Sequence, residues 1–252
     1  MINIGRKTVY ILGVKIDDIT FSSSVSLAER LIKSEGLSMI YTINPEIIMS
    51  AYKETSFKDI LNSSTLCVAD GIGILYASKI LNTPLPERIS GIDLICSLFD
   101  KIKTNNTKTF LLGSKPGIAE KAKYNIENTY KGIDICGVSD GYFFGNKNKE
   151  DEIIEKINNS EAKLLIVCMG SPLQEKWINK NRNKLKVNLC IGAGGTLDVF
   201  SGIKKRAPIV MQNLNLEWFY RIFNEPKRIK RFMSVPKFAY LVILESLHKN
   251  KK

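Results

Sequence analysis

Seven runs of aliphatic and β-branched residues recur along this 252-residue chain: Val9–Val14, Ser38–Ile43, Thr65–Ala69, Thr109–Leu112, Ile133–Val138, Leu164–Met169 and Val187–Ile191. Several stay apolar with no polar alternation, the pattern of strands covered on both faces. Amphipathic stretches lie between them and predict helices over Val25–Lys33, Pro45–Lys53, Ile72–Leu81, Ile92–Ile102, Pro116–Tyr130, Glu150–Ile157 and Leu173–Leu185. Pro45, Pro116 and Pro172 fall where helices would begin, and the first helical turn tolerates a residue without an N–H. Alternating β and α units predict an α/β fold with a mostly parallel sheet flanked by helices. The alternation stops at Gly202. Beyond it come only short helical pieces broken by Pro208, Pro226 and Pro236, so the chain divides into a core over 1–202 and a helical appendage over 203–252.

Charge follows the same division. Lys and Arg outnumber Asp and Glu by twelve, and nine of those net charges lie after Gly202. The appendage therefore either meets an anionic partner or carries its charge for no special reason. Arg221, Arg228 and Arg231 are spaced for neighbouring turns of one helix face, with Pro226 interrupting. Leu216, Phe219, Tyr220 and Phe223 also fall at helical spacing, which suits docking onto a core. The apolar stretch from Pro236 to Leu247 is shorter than the ~20 residues of a membrane span. It fits either a basic, aromatic helix at a membrane interface or an ordinary helix packed on the core.

A single histidine, His248, stands beside the terminal lysines, so a multi-histidine metal site is excluded. Five cysteines without a CxxC pair read as reduced, buried thiols. The N-terminus carries no long apolar segment of the secretory kind, so a cytoplasmic location is expected.

Ligands of parallel α/β sheets bind beyond the carboxyl ends of the strands. Five predicted strand ends carry small or polar segments, at 42–46, 70–73, 113–117, 170–175 and 192–196, where backbone N–H groups can approach an anion closely. Neither Gly71-x-Gly73 nor Gly192-x-Gly194 continues into a dinucleotide fingerprint, and no phosphate-binding GxxxxGK[ST] loop exists. A nicotinamide-dependent dehydrogenase is thereby disfavoured. Asp70 closes an apolar strand before a flexible Gly-x-Gly. It suits a partly desolvated general base, and equally the N-cap of the following helix. Arg88, in a proline-stiffened loop, suits bidentate phosphate recognition or a surface ion pair with Glu87 or another neighbour.

The blocks TINPE (42–46), VADGIGI (68–74), LPERISGIDL (85–94), LLGSKPGIAEKA (111–122), GSPLQEKWI (170–178), GAGGTLD (192–198), KKRAP (204–208) and LEWFYRIFNEPKRIKR (216–231) together resemble the WecG/TagA/CpsF glycosyltransferase family, in family order and over most of the chain. The resemblance, strongest to the TagA branch, implies a Rossmann-like catalytic core. It also implies inverting transfer of N-acetylmannosamine from UDP-ManNAc to the 4-hydroxyl of GlcNAc on undecaprenyl diphosphate, for the linkage unit of wall teichoic acid. No cofactor and no metal are expected, and no D-x-D triplet is present. Carried onto this chain, the catalytic base falls on Asp70. Thr42, Asn44, Arg88 and Gln174 take substrate-binding positions. Asp198 joins the nucleotide pocket, beside the glycine-rich ends at Gly113 and Gly195. Arg221, Arg228 and Arg231 are the basic residues that the appendage brings to the site. Ser171, Leu173 and Thr196-Leu197 depart from the commoner family pattern, leaving UDP-ManNAcA or UDP-glucose as alternative donors. The expected partners are the UDP-sugar, the lipid-linked acceptor and the anionic inner face of the cell membrane, with a homo-oligomer left open. A nucleic-acid-binding protein is the competing class, suggested by the net charge and by Trp218, Phe219 and Tyr220 beside Arg221. No RNP or zinc motif supports it, and nucleic acid is not among the expected partners.

Overall fold

The computed structural model describes residues 6–225 and 229–249. Among them, six strands form one parallel sheet: β3 (Ser38–Ile43), β4 (Leu66–Ala69), β5 (Lys108–Gly113), β6 (Asp134–Ser139), β7 (Leu164–Cys168) and β8 (Leu189–Gly192), in spatial order β4-β3-β8-β7-β5-β6. Every residue of β3, β4, β7 and β8 is buried, as their largely apolar sequences suit.

The first predicted strand is instead a hairpin. β1 (Thr8–Ile11) and β2 (Val14–Asp17) pair antiparallel outside the main sheet. The chain reverses at Leu12-Gly13, both left-handed with φ of 49° and 79°. Two-residue turns of this hand match strand twist, but a left-handed leucine leaves no mark in a hydropathy pattern. The Leu12 N–H donates to Glu245 from the far end of the chain, at 3.0 Å. Beside the hairpin, the buried Asp17 accepts from the Cys67 N–H of β4 at 2.7 Å, so a side chain satisfies a donor on the sheet's edge strand.

Helices cover both faces. On one lie α2 (Pro45–Lys53), α3 (Thr55–Asn62), α4 (Ile72–Ile80), α7 (Lys147–Asn159) and α8 (Leu173–Asn181), in one apolar cluster with the hairpin. On the other lie α1 (Phe21–Lys33), α5 (Gly91–Ile102), α6 (Ile118–Thr129) and the short α9 (Thr196–Phe200). The sequence pattern predicts no helix at α3, whose eight residues bury only Phe57 and Leu61. Pro45 does occupy the first turn of α2, whereas Pro116 precedes the left-handed Gly117 cap of α6, and Pro172 is itself the cap residue of α8.

Residues after Gly202 form α10 (Ile209–Asn213), α11 (Glu217–Asn224), α12 (Ile229–Phe232) and α13 (Ser234–Lys249). α13 packs against α2 and α4, seating Phe238 and Val242 in the core. Its Ser246 hydroxyl donates to the Ile80 carbonyl at 2.9 Å. The opposite faces of these helices stay apolar and exposed, including Ile209, Val210, Leu214, Phe223 and Tyr240. No helix among the described residues is long and apolar enough to cross a membrane.

Candidate active site

A cavity of about 1040 Å³ opens at the carboxyl ends of β3, β4, β7 and β8. The sheet order explains it. β3 and β8 are neighbours, with Tyr41 opposite Gly192, and Ile43 stands opposite Ala69 of β4, so the chain leaves three adjacent strands around one crevice. Thr42, Asn44, Asp70, Gln174 and Gly195 line it, and α11 adds Tyr220 and Arg221 from the appendage.

Asp70 follows β4 directly, its N–H donating to the Ile43 carbonyl at 2.7 Å. It does not cap the following helix: α4 begins at Gly71 with no side-chain cap. The backbone N–H of Gly91, in the first turn of α5, is instead among the groups that act on the carboxylate. Burial raises its pKa above the ordinary aspartate value. The nearby charges of Arg221 and then Arg88 oppose that rise, Glu217 adds to it, and the Gly91 hydrogen bond lowers it. A carboxylate that is desolvated yet faces cations is a stronger base than an ordinary aspartate.

The flanking groups are held by local structure. Asn44 caps α2, its Oδ1 accepting from the Ile47 N–H at 2.9 Å. The Thr42 hydroxyl stands 3.5 Å from the Gly192 carbonyl. Gln174 is buried beneath the glycine-rich loop. Its Oε1 accepts from the Gly194 N–H at 2.9 Å and its Nε2 donates to Glu175 Oε1 at 2.8 Å. Burial pushes the Glu175 carboxyl up, toward the neutral form that can stay in the interior. Glu175 thus orients the glutamine that orients the loop. Replacing Glu175 by Ala strands the Gln174 amide, at a cost of about 1–3 kcal/mol. Glu175→Gln keeps an acceptor there, and its midpoint in urea denaturation is expected to stay much nearer the parent's.

Other predicted residues lie outside the cavity lining. Arg88 pairs with Glu217 Oε2 at 2.8 Å, not with Glu87, whose carboxylate accepts from the Phe21 N–H. Asp198 accepts from the Ser114 hydroxyl and pairs with Lys204 at 2.8 Å. Gly113 is needed for close packing: it has a φ of 133°, and a Cβ there would stand 2.3 Å from the Cys168 carbonyl oxygen. The Arg228 position lies outside the described residues. Arg231 belongs to α12, and its side chain is likewise outside them.

Several site residues were not singled out by the sequence. Lys204, Lys205 and Arg206 line the cavity together with Lys53, Ser90 and Asn224. The KKRAP block carried the three cations, and Ser90 and Asn224 lay inside the LPERISGIDL and LEWFYRIFNEPKRIKR blocks. Burial raises the Cys67 and Cys168 thiols to about 12, so neither is an activated nucleophile. Among the described residues no three His, Cys, Asp or Glu side chains cluster as a metal site.

A parallel α/β sheet whose strand ends open into a crevice lined by Asp70 and several cations has the architecture of enzymes that bind anionic ligands at their strand ends. The chain belongs to the glycosyl transferase WecG/TagA/CpsF family, whose model matches residues 9–252. Among curated relatives it is similar to the N-acetylglucosaminyldiphosphoundecaprenol N-acetyl-beta-D-mannosaminyltransferase of Bacillus subtilis (strain 168), at 38% identity over 85% of this chain and 82% of the relative. The protein of the same name from Staphylococcus aureus (strain MW2) is 35% identical over 93% of this chain and 91% of its own length.

Proposed function

We propose that this chain transfers N-acetylmannosamine from UDP-ManNAc to the 4-hydroxyl of GlcNAc-diphosphoundecaprenol, with inversion and without a metal ion. The observation that carries the reading is Asp70, a basic carboxylate in a crevice that also presents Arg221, Lys204, Lys205 and Arg206. The relatives' names supply the sugar and the lipid acceptor.

In a single displacement, the Asp70 carboxylate takes the proton of the acceptor hydroxyl as its oxygen attacks the anomeric carbon. The new C–O bond forms on the face opposite the departing diphosphate, and the old bond breaks with its electron pair on UDP. One base and charge stabilisation suffice, with no protein nucleophile. Guanidinium groups can neutralise the leaving diphosphate in place of a metal.

The core over 1–202 holds the base, and the appendage over 203–252 completes the site and meets the membrane. The exposed apolar residues of α10 and α11, set among lysines and arginines, support a peripheral seat on an anionic surface. That surface is the inner face of the cell membrane, where the acceptor's diphosphate would be reached from the cytoplasm. The cations serve phosphates in this reading and require no nucleic acid.

The test offers UDP-ManNAc, UDP-ManNAcA and UDP-glucose in turn, with a GlcNAc-diphospholipid acceptor in anionic vesicles and chelator present. UDP release is expected with UDP-ManNAc alone, and only with the acceptor. Preference for another donor would keep the family chemistry and move the donor assignment. Activity lost to the chelator would remove metal independence.

A further inference from the structure

We infer that Glu217 is a positioning residue: its carboxylate clamps the appendage helix α11 onto the core and so sets Arg221 over Asp70. This rests on the transferase reading only for its kinetic consequence, not for the clamp itself.

α11 presents a mostly wet surface. Trp218, Phe219 and Phe223 are exposed, and the one residue of the helix that is buried is Glu217, at 7% exposure. Trp218 stacks on Phe232 of α12, with ring centres 4.7 Å apart. Toward Arg88, Arg206 and α5 the seat is made by charges. Glu217 Oε2 meets Arg88 Nη2 at 2.8 Å, and Oε1 faces Arg206 Nε at 3.4 Å. Arg206 continues to Asp93 through Nη2 at 2.7 Å. Each carboxylate oxygen thus has its own guanidinium, and the chain of charges alternates in sign from Arg88 to Asp93.

Both anchors flank the segment that holds the base. Arg88 precedes Ile89, whose N–H donates to the Ala69 carbonyl at 2.8 Å, one residue before Asp70. Asp93 lies in the first turn of α5, two residues after Gly91, whose N–H acts on the Asp70 carboxylate. Arg221 follows Glu217 by four residues, so the two share a face of α11. The helix that is gripped at Glu217 presents Arg221 to the cavity one turn later.

A clamp of this kind acts on transition-state stabilisation more than on acceptor binding, because Arg221 serves the developing diphosphate charge. The experiment uses the full chain with Glu217→Gln and Glu217→Asp, read by amide hydrogen exchange and by transfer kinetics. In the Gln variant, exchange over 217–224 is expected to rise at least tenfold, while β3 and β7 stay as protected as in the parent chain. Its kcat should fall tenfold or more, with KM for the acceptor within about twofold. The Asp variant, which retains the charge, should recover part of both losses.

Unchanged exchange in α11, or lost protection with parental kcat, would overturn the proposal. So would an Asp variant no better than Gln in both readouts, since charge would then not be what holds the helix. A parent chain that transfers no sugar would remove the transferase reading, and the exchange data alone would then decide the clamp.

Discussion

Asp70→Asn is expected to lower kcat by about 10²–10⁴-fold, the range a positioned general base contributes, with the fold intact. Asparagine has the shape of aspartate, and the Asp70 backbone N–H still donates to the Ile43 carbonyl, so the strand end is kept while proton acceptance is lost. Circular dichroism and urea denaturation should overlay with the parent chain, and UDP release in the presence of acceptor should nearly vanish. Parental turnover in this variant would remove Asp70 as the base. The pH profile gives an independent check. Burial raises the Asp70 pKa, and the base works only when ionised. The rate should thus climb with pH through a value above the ordinary aspartate range, then level off. Acid conditions that leave an ordinary surface aspartate ionised already protonate this one.

Arg221→Gln is expected to cost about 10²-fold in kcat, comparable to removing one preorganised donor from a developing anion. It should also move the acid limb of kcat/KM to higher pH. Arg221 is the largest opposing charge on Asp70. Glutamine keeps much of the volume, so Asp70 stays buried while its strongest cationic neighbour disappears. The carboxylate is then harder to ionise, and a higher pH is needed to deprotonate it. Arg88 still opposes the rise, Glu217 still adds to it and the Gly91 N–H still lowers it, so the limb shifts without becoming that of a wholly unpartnered acid. A loss of rate with an unmoved limb would leave Arg221 at the diphosphate but separate it from the base. These two variants affect the same reaction in different ways: one deletes the proton acceptor, the other the charge that keeps the acceptor ionised and meets the leaving group.

The elements that were easiest to anticipate are those whose cause is local. β7 is apolar along its whole length, and β3 nearly so, because both faces are covered. Helix α2 starts where Asn44 and Pro45 make it start. The hairpin at Leu12-Gly13 and the helix α3 were missed for the converse reason. A leucine enters the left-handed region here in company with Glu245, more than two hundred residues away, and α3 buries too few residues to leave a periodic stripe. The site divides similarly. Asp70, Asn44 and Gln174 sit next to recognisable strand ends. Glu217 and Arg206 looked like ordinary charges in a basic tail, since nothing within a helical turn of either reveals its partner.

The order of residues by itself determined that this chain forms a parallel α/β sheet with small residues at its strand ends, that no multi-histidine metal site is available, and that a basic helical segment follows. Those conclusions need only hydropathy period, the placement of Gly and Pro, and the lone histidine outside the core. Tertiary structure alone decided which strand ends meet, because the order β4-β3-β8-β7-β5-β6 places β8 between β3 and β7. It also decided that Gly71 and not Asp70 stands at the N-cap of α4, and that Arg88 faces α11 instead of Glu87. Both are choices among partners of similar chemistry. Distance and burial in the folded chain make such choices, and residue type alone does not.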